Sequence, residues 1–189
     1  MVEIRAGTVR SFGSYGICEL SMHDGNEHRV IGVRAVLNGA DGIMFRSYGH
    51  VVKDCTAAGN GGHGIWVGEG STVTGNTAYN NQLYGIFADH GSTVTGNTAY
   101  DNQSHGIGVR CGCTVTGNTA YGNQGHGIAV LAGCTVIGNT AYGNQQNGIY
   151  LSGNNLVDQN TAYLNNQSAG TYVNMNDPGN CTFGVNHAP

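Results

Sequence analysis

The chain says nearly the same thing four times in succession. "GSTVTGNTAYNNQLYGI", "GSTVTGNTAYDNQSHGI", "GCTVTGNTAYGNQGHGI" and "GCTVIGNTAYGNQQNGI" follow one another. The Gly-Ile step that closes such units falls at Gly64, Gly85, Gly106, Gly127 and Gly148, each difference (85 − 64, for instance) being 21. Looser copies extend the series: Gly42-Ile43 and Gly16-Ile17 upstream, Gly170-Thr171 downstream, which counts eight turns of one motif. A fixed period of this length specifies a stacked solenoid, because no single unit can bury its apolar face alone.

Within a unit the apolar positions alternate. In "TVTGN" a Val stands between Thr residues, and in "GIAV" Ile128 and Val130 share a parity that Ala129 does not. Period two means strand, and Thr, Val, Ile and Tyr favour pleated surfaces while Gly and Asn favour the turns between them. No segment holds a helical period. The expectation is an all-β, single-stranded, right-handed parallel β-helix of about eight coils, since parallel crossovers take that hand. It forms one domain over 1–189, with repeats from about 8 to 173 and a tail from 174 to 189.

Columns follow from the period. Val73, Val94, Val115, Val136 and Val157 point inward, as do Ile65, Ile86, Ile107, Ile128 and Ile149, with Ala78, Ala99, Ala120, Ala141 and Ala162 where space is tight. Asn76, Asn97, Asn118, Asn139 and Asn160 form one polar column at a turn. Asn38, Asn60, Asn81, Asn102, Asn123, Asn144 and Asn165 form another. An amide side chain donates and accepts, so stacked copies can bond one another and the turning backbone. These Asn residues read as instructions for folding.

Charge narrows the functions. Charged residues are 10% of the chain and the net charge is −4. Six of the seven Lys and Arg residues lie at or before Lys53, leaving Arg110 alone in the repeats, so there is no basic surface for a nucleic acid. No apolar run is long enough to span a membrane, and "MVEIRAGTVRSFG" has no signal-peptide character, so localisation is open. The six Cys residues show no CxxC pairing and define no disulfide framework.

The recurrent "TVTGNTAYxNQxxGI", with "VVKDCTAAGNGGHGI" upstream and "LVDQNTAYLNNQSAG" downstream, resembles the right-handed parallel β-helix repeat proteins of the pectin-lyase-like superfamily. That resemblance implies the fold. It also implies a range of activities: pectate lyases, polygalacturonases, uronan epimerases, tailspikes, adhesins and members without known activity. "GGHGIWVG" looks like the Gly-His-Gly segment of polygalacturonases and nominates His63 as a catalytic candidate. The Asp cluster and Arg-Ile-Lys segment of that family are missing, and Asn76-Thr77-Ala78 stands where the family has Asn-Thr-Asp. His63 also shares a column with Tyr84, His105, His126 and Asn147, which makes "HGI" one spelling of the repeat.

Three other constellations invite a function. His105 and His126 stack and are candidates for a shared metal, with Cys111, Cys113 and Cys134 in neighbouring coils, although a stable site wants three or four convergent ligands. Cys113 and Cys134 also fill the position held elsewhere by Ser71 and Ser92. Thr72, Thr74, Thr93, Thr95, Thr114, Thr116 and Thr135 form short rows like those of ice-binding solenoids. Tyr79, Tyr100, Tyr121, Tyr142 and Tyr163 climb one outward face and are the favoured binding stripe. Trp66, Phe87, Tyr150 and Tyr172 form a second stripe, interrupted at Gly108 and Ala129.

The resulting expectation is a non-catalytic β-helix module, carbohydrate- or surface-associated and open to being part of a larger protein. A polysaccharide-active enzyme is the alternative, and an ice- or metal-binding solenoid the minor one. The expected partner is a polysaccharide, with no nucleic acid, no membrane and no cofactor. Self-association through open solenoid ends or an aromatic face remains an option.

Overall fold

A computed structural model describes residues 1–19, 26–166, 173–176 and 178–188. Each regular turn contributes three short strands. The first carries Gly-Ile and lies in a seven-stranded parallel sheet running from Ile17–Cys18 through Ile43–Phe45, Ile65–Val67, Ile86–Ala88, Ile107–Val109 and Ile128–Val130 to Ile149–Leu151. The second is the Thr-Val-Thr strand, as in Thr93–Thr95, and the third the Thr-Ala-Tyr strand, as in Thr98–Tyr100. These two ladders join into one 15-stranded sheet through the long strands Glu3–Arg10 and Arg29–Val36, which pass through both.

Register is exact repeat on repeat: Ile65 pairs with Ile86, Val73 with Val94 and Ala78 with Ala99. The Val, Ile and Ala columns are fully buried, as their parity requires. Between the second and third strands the chain turns a corner at positive φ (66° at Gly75 and 64° at Gly117), which Gly adopts without a steric penalty.

The Asn columns hold two corners, the first beside these Gly residues and the second after the third strand. Asn97 Nδ2 donates to Asn118 Oδ1 at 3.0 Å and to Val73 O at 2.9 Å, and Asn118 Oδ1 also accepts the backbone N–H of Asn97 at 2.9 Å. The same pattern runs from Asn38 to Asn165 in the second column. Every amide in it is satisfied inside a dry interior, so the stack is a directional brace against slippage. The recurrence of Gly-Ile in successive repeats has the same origin. A Cβ on Gly85 would lie 2.6 Å from Asn102 Nδ2 and 2.7 Å from Gly106 O, so the ladder leaves room only for Gly.

Two expectations change. Seven strands from Ile17–Cys18 to Ile149–Leu151 are separated by six turns, where eight motif starts and about eight coils were expected; strands outnumber the turns between them by one, and one start, the last, has no strand in this sheet among the described residues. Gly170-Thr171 lies outside the described residues, and Met175 is the residue that bridges to Ile149. The described residues of the expected tail, 174–189, continue the stack: Thr182–Phe183 pairs with Leu156–Asp158, His187 with Thr161, and Asn186 Oδ1 accepts from Asn160. At the other end the sheet begins at Glu3, ahead of the expected start near residue 8.

Candidate functional site

The outer face of the seven-stranded sheet carries a hollow of about 810 Å³, within the range of ligand sites. Its origin is the interruption in the second aromatic stripe. Phe87 registers on Gly108, Gly108 on Ala129 and Ala129 on Tyr150, so two small residues separate two aromatic ones. Three strand spacings put the Phe87 and Tyr150 backbones about 14 Å apart. Gly108 also has a packing reason: a Cβ there would meet Tyr84 at 3.2 Å and Phe87 at 3.3 Å.

One long side of the slot is a stack of rings. His63 and Tyr84 lie 5.2 Å apart, Tyr84 and His105 4.8 Å, His105 and His126 4.7 Å, and His126 and Tyr150 4.6 Å. Tyr150 thus leans onto the column where Asn147 leaves no ring. The upper end is closed by Trp66 and Phe87, which meet edge to face at 5.9 Å. Arg110 and Leu131 form the opposite side. Arg110 Nε lies 3.3 Å from Asp89 Oδ1, and Arg46 sits 5.0 Å over the Trp66 ring.

Backbone bonds fix the chemistry of the imidazoles. His105 Nδ1 accepts the backbone N–H of His126 at 2.8 Å, and His126 Nδ1 accepts that of Asn147 at 3.1 Å. A nitrogen that accepts carries no proton, so both rings are Nε2–H tautomers. Protonation would turn Nδ1 into a donor facing a donor. Burial pushes His105 down from its ordinary pKa and, together with the neighbouring His105 imidazole, pushes His126 down to about 4. At neutral pH both rings are uncharged hydrogen-bond donors at Nε2. Asp41, a member of this column that the sequence did not reveal, accepts the His63 backbone N–H at 2.6 Å. Burial lowers the His63 pKa against the opposing charge of Asp41, and its buried Nδ1 has no hydrogen-bond partner among the described residues.

His63 is part of the aromatic wall, its ring 5.3 Å from Trp66 and 5.2 Å from Tyr84. His105 and His126 are brought together as sequence suggests, but as parallel rings 19° apart, and no group of three His, Cys, Asp or Glu side chains among the described residues is placed to hold a metal ion. Cys113 and Cys134 sit in a separate buried column: Cys113 N–H donates to Cys134 Sγ at 3.3 Å, as Ser71 N–H donates to Ser92 Oγ at 3.2 Å. All six Cys residues are free.

The Tyr column does face outward, yet its rings are face to face. Tyr79, Tyr100, Tyr121, Tyr142 and Tyr163 stack at 4.8, 4.9, 4.9 and 5.2 Å, with planes within 10°. Each ring covers the next, so the column offers edges and hydroxyls where a sugar would want faces.

A polar cluster near the first turn escaped sequence reading. His50 Nε2 lies 2.9 Å from Ser47 Oγ, and Ser47 Oγ–H donates to Glu19 Oε1 at 2.5 Å. It has the residue types of a nucleophilic triad without the direction of one. His50 Nδ1 accepts from His28 N–H at 3.2 Å, so Nε2 carries the proton and donates toward the hydroxyl. Burial opposes ionisation of Glu19, but the Ser47 hydroxyl and the Ser47 and Arg46 backbone N–H groups hold its pKa below the usual value. The cluster clamps the first, longer turn to the stack.

Solved structures alike in shape share little sequence with this chain. A mutant of the periplasmic alginate epimerase AlgG superposes with a TM-score of 0.77 at 20% identity, covering 93% of this chain and 47% of its own. The A-module of a mannuronan C-5 epimerase from Azotobacter vinelandii gives 0.80 at 18% identity, covering 99% and 58%. The Dettilon tailspike protein gives 0.62 at 18%, covering 84% and 38%. The chain spans about half the length of the epimerase structures. No curated protein sequence matches it. The family model described as the right handed beta helix region matches residues 15–167, and the chain belongs to that family.

Proposed function

We propose that this protein is a non-catalytic, glycan-binding β-helix module whose ligand sits in the slot between Phe87 and Tyr150. The observation that carries this reading is the break in the aromatic stripe, where the Tyr84 and Phe87 rings cover Gly108 and Ala129 is left as an apolar floor beside the Nε2–H groups of His105 and His126. Sugars present both halves of that pattern: CH faces for aromatic rings and oxygens for donors. The same geometry favours binding over catalysis. A general acid or base works best with a pKa near ambient pH, whereas His126 is held at about 4 with Nδ1 already engaged.

Arg110 is offset by Asp89 and the imidazoles are neutral, so affinity should depend weakly on salt. Neighbours named for alginate and mannuronan support a polysaccharide ligand and supply the first probe. The reading carries an extracytoplasmic location with it, which the periplasmic setting of one neighbour supports.

Calorimetric titration with alginate oligosaccharides and with neutral mannose oligosaccharides tests it. Binding by the parent chain, lost at least tenfold in Ala129→Tyr and kept in Tyr121→Ser, is expected. Absence of binding to both series, or binding indifferent to Ala129→Tyr, refutes it.

A further inference from the structure

The first coil leaves a long strand edge open. Glu3–Arg10 pairs with Arg29–Val36 alone, so among the described residues no strand covers its outer edge, a row of backbone N–H and C=O groups available for pairing. Ile4 and Val9 register on the buried Val30 and Ala35 and pack against the core, yet they stay only half-buried because no described coil lies beyond them. The seven-stranded sheet stops at the same end, with Ile17–Cys18.

This edge complements itself when reversed. Laid antiparallel on a second copy, about a two-fold axis between Ala6 and Gly7, it sets Glu3 opposite Arg10, Ile4 opposite Val9 and Arg5 opposite Thr8; beyond the strand, Val2 meets Ser11 and Met1 meets Phe12. Residues directly opposite in an antiparallel pair project to one face, and these do. The strand turns its corner at Ala6 and Gly7, with φ of 49° and 118°, so Ile4 and Val9 on either side of it both point inward while Glu3, Arg5, Thr8 and Arg10 are exposed. The corner lies on the two-fold axis, and each arm of the bent strand therefore meets the other arm of its copy. Charge agrees with this placement. Glu3 already holds Arg5 and Arg29, whereas Arg10 has no ion pair among the described residues and gains one from Glu3 of the second copy.

Head-to-tail stacking finds no such match. Asn38 Oδ1 accepts the Phe12 N–H at 3.2 Å, which puts Phe12 in the next position of the Asn ladder. A phenyl ring has nothing with which to accept from a further coil, so the ladder ends there. We infer that two copies of this chain join head to head through Glu3–Arg10, closing a two-fold dimer whose sheet runs on across the junction.

Sedimentation velocity of the full chain over a wide concentration series tests this. The expected result is a dimer that grows no further, because a two-fold junction uses the edge of both copies. Arg10→Glu sets carboxylates against each other at both ends of the junction, and Glu3→Arg sets cations against each other; each variant should dimerise at least about tenfold more weakly. Mixed in equal amounts, the two should recover the dimer, since every such contact then joins opposite charges. Far-UV circular dichroism checks that each variant folds, and Thr8→Lys, which places a second cation opposite Arg5, gives the same loss without touching Glu3. A parent chain that stays monomeric at every concentration, assembly that continues past two, or Arg10→Glu and Thr8→Lys dimerising like the parent overturns the proposal. So does a mixture of the two folded charge variants that stays monomeric.

Discussion

Replacing Asn118 by Ala removes one rung from the interior ladder, and its cost can be worked from the bonds. Asn118 Oδ1 accepts Asn97 N–H at 2.9 Å and Asn97 Nδ2–H at 3.0 Å; Asn118 Nδ2 donates to Val94 O at 2.8 Å and Asn139 Oδ1 at 2.9 Å. Both Asn97 and Asn118 are 1% exposed, so no solvent replaces the lost partner. Two buried donors on Asn97 are orphaned at about 1–3 kcal/mol each, giving a loss of about 4 kcal/mol. That is a large share of the roughly 5–15 kcal/mol that holds a domain of this size together. Denaturant unfolding followed by far-UV circular dichroism measures the total. Hydrogen exchange at the Asn97 amide reports the same loss locally, as a roughly thousandfold faster opening. Gln103→Ala, at an exposed turn position in an adjacent coil, should stay within about 0.5 kcal/mol of the parent. If Asn118→Ala falls within 1 kcal/mol of the parent, the ladder is decoration and the account of the fold is wrong.

The Tyr column should behave as a structural support. Changing Tyr100 and Tyr121 to Ser removes three stacked contacts, so it should cost about 2–4 kcal/mol in the same unfolding assay while leaving slot binding unchanged. Stability should also fall with acid. The folded pKa of His126, about 4, lies below the ordinary 6.5, so the unfolded chain takes up the proton first. The contribution is complete above about pH 6.5, shrinks as pH falls and is gone below about pH 4, a loss of about 2–3 kcal/mol. His126→Asn should flatten that slope without breaking the column, because Asn147 Oδ1 already accepts Val173 N–H in the same way at 2.7 Å. A pH profile of melting temperature on the two chains decides it.

The repeat made the frame legible. Each of its 21 positions is written several times over, so parity, inward columns and Asn ladders can be read even where one copy is degenerate. What was not legible lies where the copies differ. Gly108 and Ala129 appear in the sequence as gaps in a stripe, and only the packed walls turn a gap into a slot. Parity sets Tyr100 outward but says nothing of ring orientation, and the rings prove to stack face to face. The tautomers of His105 and His126 depend on which backbone N–H reaches Nδ1, a fact of stacking that no spacing encodes. Glu19 meets Ser47, which in turn meets His50, across 28 residues, a separation outside the 21-residue period. The closing coil was missed for the same reason: Met175 follows Ile149 at 26 residues, outside the period.

The central claim concerns one face of the molecule, and nuclear magnetic resonance of the imidazole Nε2–H groups tests it most directly. On titration with alginate or mannose oligosaccharides, the His105 and His126 Nε2–H signals should shift together with the Trp66 indole and the Ala129 methyl, while the Tyr79 to Tyr163 ring signals stay in place. Shifts confined to the Tyr column, with the imidazole signals unmoved, would contradict the slot as the seat of binding.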